Sequence, residues 1–251
     1  MKNCARSLFI ILTCVLIPAP YGYSLSAVSP EEILKRVDEI RCPNGDYTAI
    51  AMVTIYRQGQ YQSSSTYEIM AKGHQKTIIE TLHPDNERGR MILMSEGDYW
   101  AFFPEVSQPL RIAALERLVG DVFHGDLART NFFGDYDATI LREESSVEKK
   151  YYVLELKAKN DKATYSKVML WVEQKRFWPL KAELYSRSGR LLKTCLFENY
   201  KIAGGTMRPS RLVLQDAIVE GEYSVIEYHH FKFGEIPAKY FSKEYLKKKV
   251  F

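Results

Sequence analysis

A chain of 251 residues with 46% hydrophobic and 26% charged residues has the make-up of a folded globular protein. Its formal net charge of +4 is small, and acidic and basic residues alternate along the chain. A nucleic-acid domain would show a basic stripe interleaved with stacking aromatics, so that class is excluded.

The chain opens MKNCARSLFIILTCVLIPAPYGYSLSA, with Lys2 and Arg6 ahead of an apolar run from Leu8 to Ile17 that Pro18 and Pro20 end. A basic start, an apolar run of about 10 residues and then small residues form the pattern of a secretory signal peptide. The run is well short of the roughly 20 residues that span hydrocarbon. Ser24 and Ser26 satisfy the small-x-small cleavage pattern, so residues 1–26 are expected to be removed and the exported chain to start near Ala27. A site after Ser24 is nearly as good. A lipid anchor on Cys14 fits poorly, because Leu12 and Thr13 suit that cleavage badly and the apolar run would be cut in half. Loss of the leader takes the charge from +4 to about +2. It also leaves two cysteines, Cys42 and Cys195, which form either one disulfide or two buried thiols.

Ser29-Pro30-Glu31-Glu32 is a helix start, with a serine cap, proline in the first turn and acids facing the dipole. Ile33, Val37 and Ile40 follow at helical spacing with Leu34 beside them, which predicts an amphipathic helix over about 30–41, ending before Pro43-Asn44-Gly45. From Tyr47 onward the chain turns to short runs rich in Ile, Val, Thr and Tyr separated by glycine-containing turns. Residues 47–57 and 61–72 flank Gln58-Gly59-Gln60, and 207–219 and 222–233 close the series. Roughly eleven such strands with short connections predict a mainly β (α+β) protein with an antiparallel, meandering sheet in one domain over 27–251.

Alternation marks a buried face. Tyr152, Leu154, Leu156 and Ala158 oppose Val153, Glu155 and Lys157, and Trp178, Leu180, Ala182 and Leu184 oppose Lys181 and Glu183. Such a face must be covered by helices, a second sheet or the sheet's own curvature. The interruption at 109–137 offers a cover, since Ile112, Leu115, Leu118, Val119, Val122 and Phe123 fall on one helical stripe. Lys247, Lys248 and Lys249 read as a solvated helix face, with contact to an anionic membrane as the alternative.

The order of these elements resembles the LolA lipoprotein-sorting family. MILMSEGDYWAFFP at 91–104 resembles its strand, Ser-acid-Gly turn and Trp-containing strand. VGDVFHGDLARTNFFGDYD at 119–137 is similar to the segment that follows, and KVMLWVEQKRFWPLKAELYSRSGRLLKTCLFENY at 167–200 to its paired late strands. The resemblance covers nearly the whole exported chain and lies more in this order than in any one motif. It implies a strongly curved half-barrel with helices over its mouth, enclosing an apolar cavity for acyl chains. It also implies a periplasmic carrier of lipoproteins or lipids that transfers them toward the outer membrane, with an inner-membrane transporter and an outer-membrane acceptor as partners. One departure stands out: where LolA carries an arginine that holds the lid shut, this chain reads KGHQKT at 72–77, with Lys72, Gly73 and His74. That gating is not carried over.

A carrier needs an enclosed apolar surface and no reactive group. The candidate lining is Tyr152, Leu154, Leu156, Leu180 and Leu184 with Leu170 and Val172, joined by Trp100 and Phe102. Each is also explained as ordinary core. Leu115, Leu118, Val119, Val122 and Phe123 are the lid candidates, and Gly120, Gly125 and Gly134 offer places to bend. Catalytic patterns are missing: there is no Gly-x-Ser-x-Gly, no phosphate-binding glycine loop and no His-Glu-x-x-His. His229 and His230 are strand neighbours that face opposite ways. The chain is therefore expected to be no enzyme, with no cofactor and no metal. Two alternatives stand beside the carrier: a periplasmic interaction module serving an envelope assembly or transporter, and, more weakly, a lipid hydrolase using His83 or His124.

Overall fold

The computed structural model describes residues 28–43, 45–128 and 131–250, so the expected leader and its cleavage site lie outside the described residues. The chain begins with helix α1 (Pro30–Arg41), where Ser29 Oγ accepts from the Glu32 amide at 3.2 Å. Five strands follow: β1 (Tyr47–Arg57), β2 (Gln60–Lys72), β3 (Lys76–His83), β4 (Met91–Ser95) and β5 (Asp98–Phe102). Next come β6 (Leu110–Ile112), β7 (Arg117–Val119), β8 (Val122–Phe123) and the short helices α2 (His124–Ala128) and α3 (Phe132–Asp135). A second meander comprises β9 (Tyr136–Ser145), β10 (Lys150–Ala158), β11 (Lys167–Glu173), β12 (Pro179–Tyr185), β13 (Leu191–Ala203), β14 (Thr206–Asp216) and β15 (Glu222–Phe233). A 3-10 turn (Ala238–Phe241) and helix α4 (Lys243–Val250) end the described chain.

Thirteen strands form one sheet in the order β6-β5-β4-β3-β2-β1-β15-β14-β13-β12-β11-β10-β9. Each lies beside its sequence neighbour except where β1 pairs antiparallel with β15, joining the two meanders. The sheet is not closed, because β6 and β9 are its edges. The strand count exceeds the expected eleven, and the additional strands lie in the interruption read as a helix.

The sheet bends. In a flat sheet β3 and β13, five positions apart, would be about 24 Å from one another at ~4.8 Å per strand. Yet α2, five residues and about 7.5 Å long, reaches both: Thr77 Oγ1 on β3 donates to the Ala128 carbonyl at 2.9 Å, and Lys193 Nζ on β13 donates to Asp126 at 2.8 Å.

Alternation sorts the apolar residues onto two faces. One face carries the main core, in which Ile33, Leu34 and Val37 of α1 pack with Val53, Ile69, Leu154, Leu170 and Ile226 of the sheet. On the opposite face of β3, β4 and β5, Ile78, Leu93 and Phe102 pack beneath Ile236, Phe241 and Leu246 of the C-terminal segment. The unbroken apolar run Met91–Met94 is thus a strand covered on both faces, buried at all four positions.

Candidate functional site

The segment over the main core is a hairpin followed by two short helices, which corrects the expected helix over 112–123. Val119 pairs with Val122 across the two-residue turn Gly120-Asp121. Glycine in the first turn position of a two-residue hairpin loop is a strong local signal, and it outweighs the 3.6-residue stripe. Gly120 has φ +53°, and a Cβ there would meet Ser224 Oγ at 2.7 Å and Ile55 Cγ1 at 2.9 Å. The turn therefore sits directly on β1 and β15. Of the lid candidates, Val122 is fully buried, and Leu118, Val119 and Phe123 pack against the main core. Leu115 is exposed instead.

Polar contacts that the hydrophobic pattern did not signal hold this segment down. Lys193 and Asp126 form an ion pair with side chains 2% and 6% exposed. Lys193 Nζ also donates to the Asp121 carbonyl and lies 3.5 Å from the Phe123 ring centre. Asp126 accepts from the Tyr165 hydroxyl at 2.5 Å and from the Phe123 amide at 2.8 Å. Burial, then the Asp126 charge, pushes the Tyr165 hydroxyl well above its ordinary pKa, so it remains a donor. Ser224 Oγ accepts from the Asp121 amide at 3.0 Å and donates to its carboxylate at 3.2 Å.

Two arginines hold the helices from the other side. Asp38 of α1 accepts from the Phe133 amide of α3 at 2.6 Å and pairs with Arg41 at 3.0 Å. Burial lifts the Asp38 carboxyl to about 6, against the pull of Arg41 and of the Phe133 amide. The Arg41 guanidinium lies 3.6 Å from the Phe132 ring centre. Arg208, buried on β14, donates to the carbonyls of Glu39 and Ile40 at 2.6 and 3.1 Å. It thereby meets the negative end of α1. At the expected departure, Lys72 and Gly73 bind Asp46, at 2.7 and 3.2 Å.

Between sheet and cover lie two adjoining chambers, each about 50 Å³, that share Arg41, Asp126, Phe197 and Leu212 as lining. That is room for a few water molecules. Each chamber borders a surface cleft. Pro43 and Arg208 line both one chamber and a cleft of about 660 Å³ at the end of α1. Thr164 lines both the other chamber and a cleft of about 570 Å³ beside Leu115.

The predicted lining falls into three groups. Tyr152, Leu154, Leu156, Leu170, Val172 and Leu184 all belong to the main core, and Leu184 lines a chamber. Trp100 and Phe102 face away, into the C-terminal cluster, because they alternate with Tyr99 and Ala101 on β5. Leu180 falls at a register shift between β11 and β12, where Val172 pairs with Pro179, and lies outside both clusters. Cys42 and Cys195 are buried as thiols rather than bridged, and burial, with Asp126 second, lifts Cys195 to about 12.

The hydrolase arrangement does not form at His124. Its Nδ1 lies 3.5 Å from the Ala113 carbonyl, while Asp126 is engaged by Lys193 and Tyr165. Burial lowers the His124 pKa. Among the described residues no group of three or more His, Cys, Asp or Glu is placed to hold a metal ion. Lys247 and Lys249 of α4 bond to Gln108 and Glu80.

An open antiparallel sheet bent around helices that cover one apolar face defines the class. The LolA superfamily protein NE2245 from Nitrosomonas europaea superposes with a TM-score of 0.83 at 43% identity, covering 87% of this chain and 100% of that one. The chain belongs to the LolA superfamily. A family model described as "Uncharacterized protein" matches residues 73–248. The same fold occurs in an outer membrane lipoprotein-sorting protein domain from Vibrio parahaemolyticus, with a TM-score of 0.74, 22% identity and coverage of 87% and 98%. It occurs again in a DUF1329 family protein from Desulfovibrio piger, with a TM-score of 0.73, 20% identity and coverage of 86% and 97%. No curated protein matches the chain.

Proposed function

We propose that the chain is a periplasmic carrier, a half-barrel that takes acyl chains of lipids or lipoproteins between its concave sheet and the 113–135 cover and transfers them toward the outer membrane. The observation that carries this reading is the enclosed apolar face, which the cover closes with apolar side chains such as Val122, Leu127 and Phe132 and pins with buried polar contacts. The membership in the LolA superfamily supports it. The leader at 1–26 supplies the export it requires.

In the closed form the chambers admit no acyl chain, so uptake requires the cover to move. Burial of about a dozen methylenes contributes roughly 10 kcal/mol at ~0.8 each, and it replaces the cover's own apolar contacts, at Val122, Leu127 and Phe132, and its polar contacts at Lys193, Asp38 and Ser224. The cover's closing helps release the cargo. An inner-membrane donor and an outer-membrane acceptor are the partners this cycle needs. No step asks for a catalytic group, cofactor or metal.

Native mass spectrometry of the protein purified from its own envelope, with uptake of a fluorescent fatty acid, tests the proposal. Bound lipid and saturable uptake are expected. Protein without lipid that takes up no probe would refute carriage. It would favour a second reading, a ligand-free interaction module of an envelope assembly, which the small chamber volume supports.

A further inference from the structure

We propose that the cleft at the end of α1 is a headgroup site for an anionic phospholipid, with Arg36, Arg176 and Arg208 binding its phosphate and its acyl chains passing Pro43 into the interior. This rests on the carrier reading and names the class of cargo.

The cleft, about 660 Å³, is lined by these three guanidiniums and one carboxylate, Glu39. Arg208 decides its character. Only 6% exposed, it donates to the carbonyls of Ala203, Glu39 and Ile40 and has no carboxylate within 4.0 Å among the described residues. The carbonyls at the end of α1 offset only part of this buried charge, about half an elementary charge, and an anion at the cleft would complete the compensation. Arg36 and Arg176 extend the same field to the surface. Each has a carboxylate neighbour, Glu32 at 2.7 Å and Glu173 at 3.8 Å, and each guanidinium also lies over an aromatic ring, Phe177 and Trp178 respectively. Arginine forks of this kind match phosphate oxygens bidentately.

Two observations favour a lipid over a free anion. The wall of the cleft is apolar at Phe177 and Phe233, and Phe233 is 43% exposed, with Ile202, 76% exposed, two residues before Gly204 of the rim. Exposed apolar residues beside basic ones suit contact with an anionic membrane surface. Beyond Pro43, Arg41 lines the inner chamber, and its Nε is buried with no hydrogen-bond partner among the described residues. An ester carbonyl arriving between the headgroup and the chains would accept from it.

The test is calorimetric titration of the full chain and its Arg36→Gln/Arg176→Gln variant with dihexanoylphosphatidylglycerol, uncharged dihexanoylglycerol and inorganic phosphate. Both replaced side chains are half exposed, so the fold should survive, which circular dichroism checks. The wild type is expected to bind the phosphatidylglycerol about tenfold more tightly than the uncharged lipid. The variant should lose most of that preference while binding dihexanoylglycerol unchanged, and Arg36→Lys/Arg176→Lys should keep part of it. Equal binding of the two lipids by both proteins overturns the headgroup site and leaves carriage standing. Phosphate alone binding as tightly as the phosphatidylglycerol overturns the lipid assignment. If neither lipid binds, carriage fails and this proposal falls with it.

Discussion

Lys193 and Asp126 meet where water is excluded, so removing Lys193 leaves the Asp126 carboxylate buried without a counter-charge, held only by the Tyr165 hydroxyl and the Phe123 amide. Lys193→Ala should cost about 3–5 kcal/mol of unfolding free energy in urea, and Lys193→Met with Asp126→Asn, which keeps an acceptor for the Tyr165 hydroxyl and the Phe123 amide, should cost less. A double-mutant cycle with no coupling would show that the pair does not act as a unit. Asp38 makes a prediction of opposite sign. Its carboxyl sits at about 6 in the native state because of burial, while the unfolded chain releases that proton near 4. Between about pH 4 and 6 the native state holds the extra proton. The contribution of Asp38 to stability is therefore fully present below about pH 4 and is lost as the pH rises through 6, by about 3 kcal/mol. Carboxyl-carbon NMR should give a midpoint near 6, higher still in Arg41→Gln. A midpoint below 4.5 contradicts the burial. None of these partners was legible in the sequence: a lysine amid the alternating pattern of β13 reads as a solvent-facing residue until β13 and α2, 67 residues apart, are brought together.

At the level of elements, α1 was readable to the residue because its signals are local: the Ser29 cap, Pro30 and the apolar spacing. Ser29→Ala should lower stability by about 0.5–2 kcal/mol in the same assay. The cover at 113–135 was misread because its apolar residues satisfy a helical stripe and a hairpin alike, and Gly120-Asp121 decides for the hairpin. Its hold on the sheet depends on close approach. A Cβ on Gly125 would meet Thr164 Oγ1 at 2.3 Å, so Gly125→Ala should cost about 1–3 kcal/mol. Adding Thr164→Gly should restore part of that. Hydrogen exchange should find β7, β8 and α2 opening more readily than β10 and β11, with protection rising when a fatty acid is bound. Equal protection in the absence of cargo would contradict a moving cover.

For the molecule as a whole, the two apolar faces separate stability from carriage. Phe102 lies under the C-terminal segment, away from the chambers. Phe102→Ala should lose about 3–5 kcal/mol of stability with fatty-acid uptake unchanged below the new unfolding midpoint. A matching loss of uptake affinity would place the cargo on the wrong face. The sequence by itself determined the antiparallel meander, its alternating buried face and the helix that starts at Pro30, because each depends on residues a few positions apart. Only the tertiary structure decided that β1 pairs with β15, that Trp100 and Phe102 point away from the main core, and that Arg41, Asp126, Lys193 and Arg208 gather around the interior. Those outcomes depend on long-range pairing and on which face each cover takes, and alternation alone is the same for both faces.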